Sequence, residues 1–161
     1  MSAEMTDREA ITDQIYRYCR AMDRMDHALG YSIWHDDGLA DYGADLFQGT
    51  GRDFVDHVCI QHRHLLHHSH QMSNIIIALD GELAGSESYV TATLRMKRGD
   101  ALVQMTVWSR YVDTWSKRDG RWALDQRIAI RDFDEIREIK AMHDHDIGQR
   151  DRTDPSYTVL K

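Results

Sequence analysis

The spacing of apolar residues changes once along this chain, and that change restricts the fold more than any other feature. Up to about residue 66 apolar side chains recur every three or four positions, and from residue 69 onward they alternate. A period near 3.6 marks a helix and a period of 2 marks a strand. The pattern therefore predicts helices first and an antiparallel meander after them. A helix is predicted over 7–23, where Ile11, Ile15, Tyr18 and Met22 form one stripe. Thr6 with Glu9 three residues on has the form of a capping box at its start. A short helix is predicted over 26–34, with Asp36-Asp37-Gly38 as a break, and a short strand over 42–48. Residues 52–66 read as a further helix with Phe54, Val55, Val58 and Cys59 on its apolar side. Strands are predicted over 69–79, 87–97, 102–115 and 122–132, joined at Asp80-Gly81, Arg98-Gly99-Asp100 and Asp119-Gly120. Runs of helices followed by runs of strands make an α+β chain, with helices laid on one face of the sheet.

Length and charge narrow the class of partner. The 161 residues suit one domain with a core of its own. A polar tail, 144–161, follows a domain over 1–143. The net charge is -7, from 27 acids against 20 bases. A nucleic-acid partner would call for a basic face instead. No apolar run approaches the length that crosses a bilayer, and the N-terminus has no signal-peptide pattern. Two cysteines without a C-x-x-C pattern argue against a disulfide framework and for a reducing, cytoplasmic setting.

His62, His64, His67, His68 and His70 place five histidines in nine residues, just before Ile75, Ile76 and Ile77. A metal centre needs three or more convergent ligands, and the H-E-x-x-H arrangement is missing. His143-Asp144-His145-Asp146 reads as a solvated tail. The expectation is no metal and no cofactor. His67 and His68, at the junction of helix and strand, read as wet or structural. On a regular strand His70, Met72, Asn74 and Ile76 share one face. An imidazole takes and returns protons near neutral pH, and a carboxylate on its second nitrogen fixes the tautomer.

Three stretches carry a resemblance. "IYRYCRAMDRMD" over 15–26, "HSHQMSN" over 68–74 and "RYVDTWSKRDGRWALDQR" over 110–127 resemble, in that order, the first helix, histidine strand and last hairpin of SnoaL-like proteins. These belong to the nuclear-transport-factor-2-like superfamily, and the resemblance spans nearly all of 7–133. It implies a cone-like barrel, a curved and mostly antiparallel sheet packed on N-terminal helices around a pocket. It implies Asp23 and His70 as an acid–base dyad, with Arg127 stabilising developing negative charge unless it is an exterior arginine. It implies Tyr18, Trp34 and Tyr42 as pocket lining, with Trp108 or Tyr111 from the long strand. Asn74 either holds a substrate oxygen, orients the dyad or satisfies local backbone groups. Tyr18 departs from the lysine of the dehydrochlorinase branch, and no second histidine lies on a middle strand as in scytalone dehydratase.

The function implied is a cofactor-independent lyase for a hydroxylated aromatic or polycyclic small molecule. Dehydration and formaldehyde loss, as in diarylpropane degradation, are both of this kind. A ketosteroid-isomerase-like or polyketide-cyclase-like enzyme remains an alternative. So does a non-catalytic ligand-binding or dioxygenase small-subunit-like domain. A homodimer or homotrimer is the assembly that the resemblance implies.

Overall fold

The computed structural model describes residues 6–143 and 148–160, so Asp144, His145 and Asp146 of the second histidine motif lie outside the described residues. The elements are α1 (Asp7–Arg24), α2 (His27–Ser32), β1 (Trp34–Asp41), β2 (Gln48–Thr50), α3 (Gly51–His62), β3 (His67–Asp80), β4 (Leu83–Arg98), β5 (Ala101–Arg118), β6 (Arg121–Glu138) and α4 (Ser156–Val159). The strands form one open mixed sheet in the order β2-β1-β6-β5-β4-β3. All neighbours are antiparallel except β1 and β6, which run parallel. The helices cover one face, and the core lies between them and the sheet. The α+β architecture, helices packed on a mostly antiparallel sheet, is the expected one.

Local chemistry explains the helix ends. Thr6 and Glu9 exchange hydrogen bonds in a full capping box, and Met25 closes α1 in the left-handed region at φ 52°. Asp26 then caps α2 by accepting from the Leu29 N–H, and Thr50 caps α3 by accepting from the Asp53 N–H. The stripe on α1 is buried as expected: Ile11, Ile15, Tyr18, Cys19 and Met22 face the sheet.

Two sequence expectations are corrected. Asp36-Asp37-Gly38 is no break but an irregularity inside β1, whose register against β6 shifts between Trp34 and Leu39. Buried Trp34 and Ala40 anchor the strand on either side. Gly38 allows the chain to pass close to β6, because a Cβ there would lie 2.7 Å from the Leu124 carbonyl oxygen. The expected strand over 42–48 is a loop, closed by the Tyr42 N–H on the Phe47 carbonyl at 2.9 Å, and pairing begins only at Gln48. Residues 43–46 are exposed and bury no alternating face, so nothing holds them extended.

The strands outrun their predicted limits, β6 reaching Glu138 by pairing with β5 as far as Val103. Ladder hydrogen bonds continue there although residues 131–138 are exposed, and periodicity alone does not report them.

The tail expected over 144–161 folds back. Arg150 donates to the carbonyls of His62 and Leu65, both at 2.7 Å, at the end of α3. Tyr157 donates to Asp26 at 2.7 Å, and Arg20 donates to Ser156. Residues 149–157 thus form a strap across the C-terminal ends of α1 and α3.

Candidate active site

The dyad follows from how α1 lies on β3. Asp23 stands in the last turn of α1, one residue past buried Met22, and the helix packs against the β3 strand. His68 and His70 are two apart on β3 and point to the same side, toward that last turn. His70 Nδ1 meets Asp23 Oδ1 at 2.7 Å, and the His70 backbone N–H donates to Asp23 Oδ2 at 3.1 Å. A carboxylate only accepts, so Nδ1 carries the proton and Nε2 of the neutral ring is the free base. Nε2 has no hydrogen-bond partner among the described residues. The two side chains are 8% and 15% exposed, screened from bulk water without being sealed.

Two further imidazoles stand beside the dyad. His68 is buried, and its Nε2 donates to the Met22 carbonyl at 2.8 Å. Of the two readings of His68, wet or structural, the structure selects the structural one, because α1 covers it. The His62 ring, from the end of α3, lies 4.6 Å from His68 and 6.4 Å from His70, centroid to centroid. Burial, then the neighbouring histidines and Arg150, push His62 down to about 3, and burial likewise lowers His68. Both are neutral imidazoles at pH 7. Among the described residues no group of three or more histidine, cysteine or acidic side chains converges in a way that would hold a metal ion.

The deeper part of the interior is aromatic. Tyr18 and Tyr42 share a hydrogen bond between hydroxyls at 2.8 Å. Tyr18 meets Tyr111 edge to face, and Tyr42 stacks on Phe54. Burial pushes the phenols of all three tyrosines up, so they stay protonated. Trp34 also belongs to the core, packed over Gly51 at the start of α3.

Arg127 is no exterior arginine. It is fully buried, with its guanidinium 4.3 Å from the Tyr18 ring centre and 4.0 Å from that of Tyr111. Its Nε and Nη2 donate to the two carboxylate oxygens of Asp113 at 2.8 and 2.7 Å. Burial opposes charge on either partner, yet two N–H groups aimed at two carboxylate oxygens mark an ionised, bidentate pair. Nη1 has no partner among the described residues. Asp113 was not among the expected site residues. Its signal was available, since it shares a strand face with Tyr111 and Trp115, but an acid on an apolar face names no partner by itself.

Two expected residues stand elsewhere. Asn74 does not share the face of His70. The β3–β4 register shifts between Ser73 and Ile76, Asn74 adopts φ 51°, and the bulge turns Ile75 and Ile77 inward while Asn74 and Ile76 face solvent. Trp108 stacks on the exposed Phe133 of β6, ring centres 4.9 Å apart, whereas Tyr111 joins the core. Of the two aromatic candidates on the long strand, Tyr111 stands with the interior cluster.

A cleft of about 790 Å3 opens outside α1, among Asp13, Arg17, Arg20, Leu29, Arg152 and Tyr157. Volume and chemistry disagree here, because no residue of the dyad lines this cleft. The buried, oriented imidazole is the stronger mark of a functional site.

A search of curated protein sequences found no match. Solved structures with the same fold include a scytalone dehydratase-like protein from Novosphingobium aromaticivorans, 23% identical, with TM-score 0.72 over 84% of this chain and 90% of that one. Hexachlorocyclohexane dehydrochlorinase LinA type 2 aligns with TM-score 0.73 at 15% identity, covering 88% and 94%. Rv3472 from Mycobacterium tuberculosis, a protein of unknown function solved as a D26N variant, aligns with TM-score 0.65 at 22% identity, covering 76% and 70%. At these identities the likeness speaks for the fold. The model of the SnoaL-like domain matches residues 3–128, and the chain accordingly belongs to the SnoaL-like family of the nuclear-transport-factor-2-like superfamily.

Proposed function

We propose that the protein is a cofactor-independent lyase acting on a hydroxylated aromatic or polycyclic small molecule. The observation that carries this reading is the Asp23–His70 pair, with Nδ1 held at 2.7 Å and Nε2 left without a partner. In the proposed reaction His70 Nε2 removes a proton from carbon or oxygen of the substrate. Asp23 stabilises the imidazolium that forms; the ring returns the proton to departing water or halide or, where a hydroxymethyl O–H was deprotonated and formaldehyde leaves, to the carbon left behind. Water, halide and formaldehyde are all groups that such a step expels. The fold likeness to a dehydratase-like protein and a dehydrochlorinase adds support, since both names describe eliminations.

A second reading has one observation in its favour. Arg127 spends Nε and Nη2 on Asp113 inside the core, which leaves only the buried Nη1 to meet a departing anion. A proton-shuttling isomerase needs no such group. Incubation with diaryl, bicyclic phenolic and steroid-like compounds, read by mass spectrometry, separates the two. Loss of a fragment supports the lyase, and a rearranged product of unchanged mass supports the isomerase. A folded His70→Ala protein with wild-type turnover would overturn both.

A further inference from the structure

Two buried nitrogens beside the dyad are left without a partner. Nδ1 of His62 and Nδ1 of His68 are both buried and unbonded among the described residues. The tautomer of His68 is already decided. Its Nε2 lies 2.8 Å from the Met22 carbonyl, which only accepts, so Nε2 carries the proton and Nδ1 is a bare acceptor. The groups around it are Asp23 on α1, His70 on its own strand, His62 on α3 and Arg150 on the strap. Arg150 is occupied by the carbonyls of His62 and Leu65, and Asp23 by His70. Among the described residues His62 is left as the donor, with its ring 4.6 Å from that of His68.

We infer that His62 and His68 form a tautomer-locked pair, His62 Nδ1–H donating to His68 Nδ1, which positions the catalytic dyad. A small turn of the His62 ring about its broad χ2 torsion completes the bond. A chain then runs from His62 through His68 to the Met22 carbonyl. Met22 precedes Asp23, and His68 precedes His70 by two residues, so two clamps bind the same helical turn to the same stretch of β3. His68 fixes the backbone at Met22, and His70 then meets a carboxylate whose place is set. Oriented outer partners of this kind tune an imidazole without touching what it acts on. The inference gives His62 and His68 a role that neither metal binding nor surface chemistry supplies. It rests on the dyad reading proposed above.

The test uses the full chain labelled with 15N-histidine. Long-range 15N–1H correlations should report Nε2–H for His68, Nδ1–H for His62 and Nδ1–H for His70. His68→Leu removes the donor to Met22, whereas the amide of His68→Gln can replace it. Solvent exchange of the His70 Nδ1 proton should quicken in the Leu variant by about tenfold, the effect on local opening of losing one net hydrogen bond, and recover in the Gln variant. Equal exchange in wild type and a folded Leu variant would overturn the positioning role. Should the Leu variant not fold, the wild-type tautomers decide, and Nδ1–H at His68 or Nε2–H at His62 overturns the pair. A wild type in which His70 lacks its Nδ1 proton would instead remove the dyad and the proposed chemistry. Swapped tautomers with an intact His70 signal remove the pair alone.

Discussion

Single side chains here act on one named partner each, Asp23 on His70 and Arg127 on Asp113, which makes them separable. Asp23→Asn keeps the size of the side chain but loses the charge that faces the imidazolium. With a compound that the wild type converts, kcat is expected to fall by about 100-fold or more, with KM little changed. Charge on Asp23 matters most when His70 is protonated, and that happens past the ground state. Steady-state kinetics beside a circular dichroism spectrum checks this. His62 supplies a prediction in pH. Burial lowers its folded value to about 3, whereas an exposed histidine titrates near about 6.5. Between these values the unfolded chain binds a proton that the folded chain refuses, so stability falls as pH drops through that window. Urea midpoints measured from pH 7 to pH 4 should decline, and less steeply in His62→Phe. Arg127→Met is expected to cost about 3–5 kcal/mol, since it leaves the Asp113 carboxylate buried and alone. Urea denaturation measures that directly, and Arg127→Lys should fall between the two because it keeps the charge but not the fork.

At the scale of elements, bulges decide which side chains meet. Up to Met72 the even residues of β3 face α1. One extra residue at Asn74 reverses the phase, so Ile75 and Ile77 face inward instead. The last strand behaves alike. The register shift opposite Thr114 and Trp115 leaves Asp125 as the extra residue, so Trp122 and Leu124 point inward before it and Arg127 and Ala129 after it. Strict alternation would place Trp122 and Leu124 on one face and Arg127 and Ala129 on the other. A side chain branched at Cβ is strained at the φ of 51° that Asn74 adopts. Asn74→Ile is therefore expected to destabilise the fold by about 1–2 kcal/mol, the left-handed cost for a side chain branched at Cβ. Asn74→Gly should be neutral or better, and thermal unfolding of the two variants tests the bulge.

Across the whole molecule, the strap ties the domain's ends together by polar bonds. Arg150 holds the end of α3, and Asp154 accepts from Gln149 and Ser156 and lies 3.4 Å from Arg24 beside the dyad. Those donors hold the Asp154 carboxyl well below the ordinary carboxylate range. Its contribution is therefore present at neutral pH and lost as acid protonates it. Protection against hydrogen exchange over 149–160, referred to the intrinsic rate at each pH, is expected to fall at low pH, and in Asp154→Ala already at pH 7, ahead of protection in β4 and β5. The sequence by itself determined much of this protein. Its change of period established helices before strands, Thr6 and Glu9 marked the first turn, and the quoted motifs pointed to Asp23 and His70. Those signals are local or carried by short stretches, because caps and periodicity act over a few residues. Only the tertiary structure decided that Asp113 answers Arg127, that Asn74 turns away, that His68 is buried and that the tail returns over α1. Each of these depends on strand register or on contacts between residues far apart in the chain. One extra residue in a strand exchanges its two faces, and no spacing rule within a single strand announces where that residue will be placed.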